Sequence, residues 1–294
     1  MTINKHSSFY IRNGWPTKIL IAVRADNHIF SPNAELKAVD ELGMGRVMIK
    51  ALRYWAKALG LTLESKDAQG IVSIETELFE LLYDNDKYLQ NEASLLLLQR
   101  ELATNVEDAT AWYWAFNEHS KSTISRDEFI DGLHSYLISN GGVVGKDAIE
   151  KEFNCFKNTY ISDGKFDIEK IMEENTIPFF APVSFLKLID KDNYEKVKMQ
   201  AKNIPAEILL YCILKDNFEL LKTNRQISID DMVEKKRQVC KYFNISYGAF
   251  IEMLQVLENK GKIKLYNNFG NRHIEIINSD SKYILENYYQ SVRR

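Results

Sequence analysis

Four cations along one short segment, Arg46, Lys50, Arg53 and Lys57, are the residues of this sequence best suited to a binding chemistry. At about 100° per residue in an α-helix, the spacing i, i+4, i+7, i+11 gathers them within about 60° of arc. A stripe of this kind attracts anions and makes no covalent bond. Phosphates reward clustered Lys and Arg by releasing counterions, and the major groove of duplex DNA admits an α-helix. Arg46 and Lys50 are placed for base edges and Lys57 for a phosphate, with Thr62, Lys66 and Gln69 downstream as lesser candidates. The competing reading is a solvated face, or one paired with carboxylates of the same chain.

Residues for bond-making chemistry do not assemble along the chain. His6, His28, His119, His134 and His273 form no His-Glu-x-x-His and no close His/carboxylate cluster. The run Asn140-Gly141-Gly142-Val143-Val144-Gly145-Lys146-Asp147 has Asn where a phosphate loop needs its first glycine and Asp where it needs Ser or Thr. A calcium loop starting at Asp190 would need glycine at Glu195 and glutamate at Ala201, so Asp190 and Asp192 read as solvated loop carboxylates. Cys155, Cys212 and Cys240 are odd in number and widely spaced, which argues against a disulfide framework or structural zinc. Trp112, Tyr113, Trp114 and Phe116 could stack bases, but Trp112 and Phe116 at i and i+4 suit the core of a helix better. The expectation is a non-enzyme, with no catalytic residue, metal or cofactor.

The elements around the cationic stripe follow the order helix, tight turn, helix, hairpin. Asn4 to Pro16 is too irregular for a helix and is expected to pack as an ordered arm, followed by a short helix over Lys18 to Arg24. Pro32 blocks helix continuation, and Asn33 is placed to cap a helix running to about Leu42. Gly43-Met44-Gly45 interrupts, and Arg46 to Leu59 is helical until Gly60, with Met48, Ile49, Leu52, Trp55, Ala56 and Leu59 opposite the cations. Leu61 to Glu64 and Gly70 to Ile74 alternate as strands do.

Residues 87 to 160 read as a helical layer, with a capping box at Ser125 and Glu128 and another helix over about Lys146 to Phe156. A loop is expected around Ser162-Asp163-Gly164, and Pro178 and Pro182 forbid regular helix between Thr176 and Val183. Beyond Pro205, helices are expected at Ala206 to Leu214, Ile229 to Phe243 and Tyr247 to Asn259. A hairpin of Lys262 to Tyr266 with His273 to Ile277 follows, turning at Asn267 to Gly270. Its preceding helix displays Glu252, Gln255 and Glu258, a face that repels phosphate. Lys262, Lys264, Arg272 and His273 on the hairpin are secondary candidates for phosphate contact.

Charge is distributed in the same sense. Residues 1 to 60 hold nine Lys/Arg against four Asp/Glu and residues 258 to 294 hold seven against four, whereas the centre holds 22 against 33. The net charge of -3 therefore conceals two basic ends around an acidic middle. No stretch approaches the roughly 20 apolar residues that span a bilayer, and no signal-peptide core opens the chain, so a cytoplasmic protein without membrane contact is expected.

The opening His6-Ser7-Ser8-Phe9-Tyr10-Ile11-Arg12-Asn13-Gly14-Trp15 and the segment Leu42 to Trp55 resemble the domain-of-unknown-function 4007 (DUF4007) family. Fainter echoes at Trp112 to Asn117, Cys155 to Tyr160, Ile204 to Leu214 and Ile227 to Asp231 extend the resemblance over nearly the whole chain. The sequence departs from the family in having Ser7 where Glu is usual and in its wording from Ser162 to Val183. The resemblance implies a companion of DNA-modification or phage-defence genes, including sulfur-modification (phosphorothioation) systems.

Together these readings predict a mainly α protein with small β-hairpins (α+β), two winged helix-turn-helix units joined by a helical middle. Its parts would be 1–86, 87–200 and 201–294. The expected role is a DNA-binding accessory or regulator with double-stranded DNA, defence-complex proteins and a second copy of itself as partners. The rival is an assembly adaptor that binds proteins without touching DNA.

Overall fold

The computed structural model describes residues 1, 3–161, 177–268 and 271–293. It is α+β, with helices and small antiparallel sheets in two compact units. Unit 1 comprises Met1–Ala115 with Lys121–Lys196, and unit 2 comprises Phe116–Ser120 with Val197–Arg294. No helix among the described residues is long and apolar enough to cross a membrane.

In unit 1 the chain opens as an arm of turns, with Asn4, Ser7 and Ser8 all at positive φ, before α1 (Trp15–Ala25). A 3-10 turn, Pro32–Ala34, leads into α2 (Glu35–Leu42), and α3 (Arg46–Ala58) follows after three residues. The expected cap at Asn33 is not made. Pro32 holds that residue inside the 3-10 turn, and its side-chain amide instead donates to the Gln69 carbonyl at 3.2 Å. Strands β1 (Thr62–Asp67) and β2 (Gly70–Glu75) form the hairpin, turned where Asp67 Oδ1 accepts from the amides of Gln69 and Gly70.

The rest of unit 1 is helical with one small sheet. Helices α4 (Glu77–Asp86), α5 (Glu92–Thr104) and α6 (Thr110–Tyr113) run into a π-helical turn at Trp114–Glu118, whose residues from Phe116 on are counted with unit 2. Then come α7 (Arg126–Ser139), opened by the expected Ser125/Glu128 capping box, and α8 (Lys146–Tyr160). Sequence periodicity alone misses the sheet, in which β3 (Thr123–Ser125) and β4 (Leu186–Asp190) flank β5 (Asn193–Lys196). These strands are only three to five residues long, too short for alternation to declare itself. Asp190 and Asp192 sit at the β4–β5 turn.

Aromatic contacts carry the core: Trp55 meets Trp112 at 5.3 Å between ring centroids, Trp112 meets Phe156 at 6.0 Å, and Phe156 meets Phe129 at 5.0 Å. Trp112, Tyr113, Trp114 and Phe116 are all buried, as expected for core anchors.

Unit 2 holds α9 (Ala206–Asp216), α10 (Phe218–Leu221), α11 (Ile229–Glu234), α12 (Val239–Tyr242), α13 (Tyr247–Asn259) and α14 (Ser281–Val292). Its sheet has the order β6 (Gln226–Ser228), β8 (Asn271–Ile276), β7 (Ile263–Asn268). The single helix expected over Ile229 to Phe243 is broken. Arg237 sits at φ 63 and donates its amide to Asn117 Oδ1 at 2.7 Å, which turns the chain between α11 and α12. Phe250, Leu254, Leu257, Tyr242 and Tyr289 form the core. The loop expected at Ser162 to Gly164, Thr176 at the start of the proline segment, and Phe269 and Gly270 of the predicted turn lie outside the described residues.

Candidate nucleic-acid interface

The turn between α2 and α3 is built by two glycines. Gly43 ends α2 in the left-handed conformation at φ 61, which favours a residue without Cβ, and Gly45 precedes α3 with no side chain capping its first amides. Met44 between them is buried, and Lys18 Nζ donates to the Leu42 carbonyl at 2.5 Å, fixing the end of α2. Helix α3 buries Ile49, Leu52, Trp55 and Ala56 as its periodicity predicts. The Trp55 indole N–H donates to the Phe9 carbonyl at 3.0 Å, tying the N-terminal arm to the helix.

The four cations do not share one environment. Arg46 is exposed and reaches Glu35 at 3.0 Å, and Lys50 is exposed and makes no ion pair among the described residues. Arg53 is half-buried and donates two hydrogen bonds to Glu64, Nε to Oε1 at 2.5 Å and Nη2 to Oε2 at 2.8 Å. Lys57 contacts Asp108 at 3.2 Å and lies 4.0 Å from Glu64. Side-chain exposure is 65% for Arg46 but 33% for both Arg53 and Lys57, so the stripe divides into an outward end and an anchoring end. Burial alone would raise the Glu64 carboxyl, but the Arg53 hydrogen bonds and the nearby Arg53 and Lys57 charges hold it below its ordinary value. Lys66 and Gln69 lie exposed on the hairpin, whereas Thr62 is buried.

The secondary candidates in unit 2 occupy a different setting. Lys264 is exposed and Lys262 half-buried. Arg272 hydrogen-bonds the Tyr247 hydroxyl and lies 5.4 Å from that ring's centroid, and His273 stacks on Tyr266 at 5.1 Å. The Tyr266 hydroxyl donates to Glu275 at 2.9 Å, which raises its pKa. Helix α13 buries Phe250, Met253, Leu254 and Leu257 and exposes Glu252, Gln255 and Glu258. Glu258 also accepts the Leu265 amide at 2.7 Å.

Two His–carboxylate pairs escape inspection of the sequence. His28 lies 2.9 Å from Asp67 at the hairpin turn, and His6, fully buried, lies 2.9 Å from Glu152. His6 Nδ1 accepts the Ser8 amide at 3.1 Å, so Nε2 carries the proton and donates it to Glu152 Oε2, which also accepts the Asn4 amide at 2.5 Å. The expectation of no close His/carboxylate cluster is corrected to that extent. Its cause is tertiary: 146 positions separate the partners. A readable cue was Glu152 itself, a carboxylate on the stripe of α8 that otherwise buries Ile149, Phe153 and Phe156. The pair packs against Tyr54, Trp55 and Trp112, directly behind α3. Among the described residues no group of three or more His, Cys, Asp or Glu could hold a metal ion. The three cysteines are buried thiols outside any disulfide, and burial pushes the Cys155 thiol well above its ordinary value.

The fold and the outward end of α3 define an α+β protein with a cationic helix set before a hairpin. The chain belongs to the DUF4007 family, described as proteins of unknown function, which it matches over residues 3–289. It is similar in fold to two crystal structures of SspB. One, magnesium ion-bound, has a TM-score of 0.84 and 22% identity, covering 99% of this chain and 89% of that one. The other has a TM-score of 0.83 and 21% identity over the same shares. No curated protein matches the sequence.

Proposed function

We propose that this protein is a DNA-binding accessory or regulatory component of a cytoplasmic DNA-modification or phage-defence system, of the phosphorothioation kind. The observation that carries the reading is the outward end of α3: Arg46 and Lys50, exposed beside the Gly43–Gly45 turn and ahead of the hairpin. Helix, turn, helix and hairpin then act as a winged helix-turn-helix, with α3 entering the major groove and Lys66 and Gln69 following the backbone. Arg53 and Lys57 hold α3 to β1 and to Asp108, and add to the local potential without facing the duplex. Measuring duplex affinity against salt is the test. Replacing Arg46, Lys50, Arg53 and Lys57 together by Ala should weaken binding and flatten its salt dependence, whereas an unchanged affinity and slope would sink the assignment.

The adaptor reading has a specific observation of its own, since Leu63 and Ile74 face each other across the hairpin at 63% and 46% exposure. A stoichiometric protein complex that survives nuclease would favour it. The magnesium in one SspB structure also makes a direct test of the non-enzymatic role worthwhile. Supercoiled plasmid incubated with the protein and magnesium should stay intact, and conversion to nicked circles would overturn that part of the proposal.

A further inference from the structure

The two edges of the β1–β2 hairpin are treated differently by the rest of unit 1. Along β2 the outward amide of Ser73 donates to the Asn27 carbonyl at 2.8 Å, and that of Ile71 to Ser31 Oγ at 3.3 Å. Along β1 the pairing of the Thr76 amide with the Leu61 carbonyl puts the odd-numbered residues in hydrogen bonds with β2. The main-chain groups of Glu64 and Lys66 therefore point outward, and neither has a main-chain hydrogen-bond partner among the described residues. An open edge is a template for another strand.

We propose that this edge binds the same edge of a second copy of the chain, joining two hairpins into a four-stranded antiparallel sheet. The register follows from charge. Only even residues can face even residues across the new seam, because only they point outward. Glu64 opposite Glu64, or Lys66 opposite Lys66, sets like charges together, which destabilises a cross-strand pair. The intervening register sets Glu64 of each copy opposite Lys66 of the other, with Ser65 on the twofold axis. Read in reverse, Glu64-Ser65-Lys66 is its own complement. Lys66 and Ser65 are exposed, and no described residue covers these two positions.

Opposed residues of an antiparallel pair lie on the same face of the sheet. Glu64 is bound by Arg53 of α3, so its face is the one that carries α3. The dimer therefore sets both α3 helices on one side of the joined sheet. This goes beyond the DNA reading and stands without it, since its test contains no DNA.

The experiment is sedimentation of the full chain across micromolar concentrations, with three exposed variants whose folding is checked by thermal melting. Lys66→Glu should raise the dimer Kd about tenfold or more, because it creates two like-charge pairs. Under oxidising conditions Ser65→Cys should give a disulfide-linked dimer, its two copies about 4.5 Å apart at Cα in a non-hydrogen-bonded pair. Leu63→Cys should not, because in this register the two Leu63 positions are offset by roughly 14 Å along the strands. The native cysteines are buried and leave the readout clear. A chain that stays monomeric with no Ser65→Cys dimer overturns the proposal, as does a dimer indifferent to Lys66→Glu or equal cross-linking by Leu63→Cys.

Discussion

Units 1 and 2 each place a thirteen-residue helix before an antiparallel hairpin, α3 with β1–β2 and α13 with β7–β8, yet the two helices present opposite charge. Helix α3 shows Arg46 and Lys50 to solvent, and α13 shows Glu252, Gln255 and Glu258. The hairpins are secured in opposite ways as well. A glutamate of strand β1 takes two hydrogen bonds from an arginine of α3, whereas a glutamate of α13 takes a main-chain amide of β7. The same order of elements thus carries a cationic helix face in one place and an acidic one in another, and only the exposed side chains tell them apart.

The likeness in packing is broken by the largest expected effects. Trp55→Ala and Phe250→Ala each empty a fully buried ring site and should each cost about 3–5 kcal/mol in urea unfolding. A small loss at either position would show that the helix is not seated as described.

Glu64→Ala sharpens the difference between the hairpins. It leaves Arg53 half-buried without its carboxylate and should cost roughly 1–2 kcal/mol, a moderate figure because both groups are partly solvated. A pH dependence accompanies it. Because the folded Glu64 carboxyl is held below its ordinary value, its contribution is present above the unfolded pKa and lost as pH falls through the folded one. Hydrogen exchange of β1 amides should rise across that acid window in the wild type, and Glu64→Gln should remove this component.

Gly43→Ala places a Cβ at φ 61 and should cost about 1 kcal/mol by thermal unfolding, from backbone strain alone, since nothing crowds the position. The smallest effect is expected on the acidic helix. Glu252→Lys with Gln255→Lys should leave stability within about 0.5 kcal/mol while raising any weak duplex affinity of unit 2.

Much of this contrast was legible in the sequence. The 100° geometry placed the cations of α3 on one stripe and its core residues opposite, and the buried set Ile49, Leu52, Trp55 and Ala56 follows it. The acidic face of α13 and the Ser125/Glu128 capping box were equally readable. The division of the stripe was not, because Lys57 meets Asp108 across 51 positions and Arg53 meets Glu64 through the placement of β1 against α3. Periodicity fixes which side of a helix a residue occupies, and tertiary structure decides what waits there. The same holds for His6 and Glu152, and for Asn33, whose capping role lost to a contact with the hairpin turn.

The most direct test of the central claim compares salt slopes of duplex binding for the wild type, Arg46→Ala/Lys50→Ala and Lys262→Ala/Lys264→Ala. If the outward end of α3 enters the major groove and its two cations also neutralise the flanking phosphates, the first variant should weaken binding and lower the slope of log K against log salt by up to about 2, and the second should leave both unchanged. A slope lost only with the unit 2 variant, or no duplex binding by the wild type, would contradict the account.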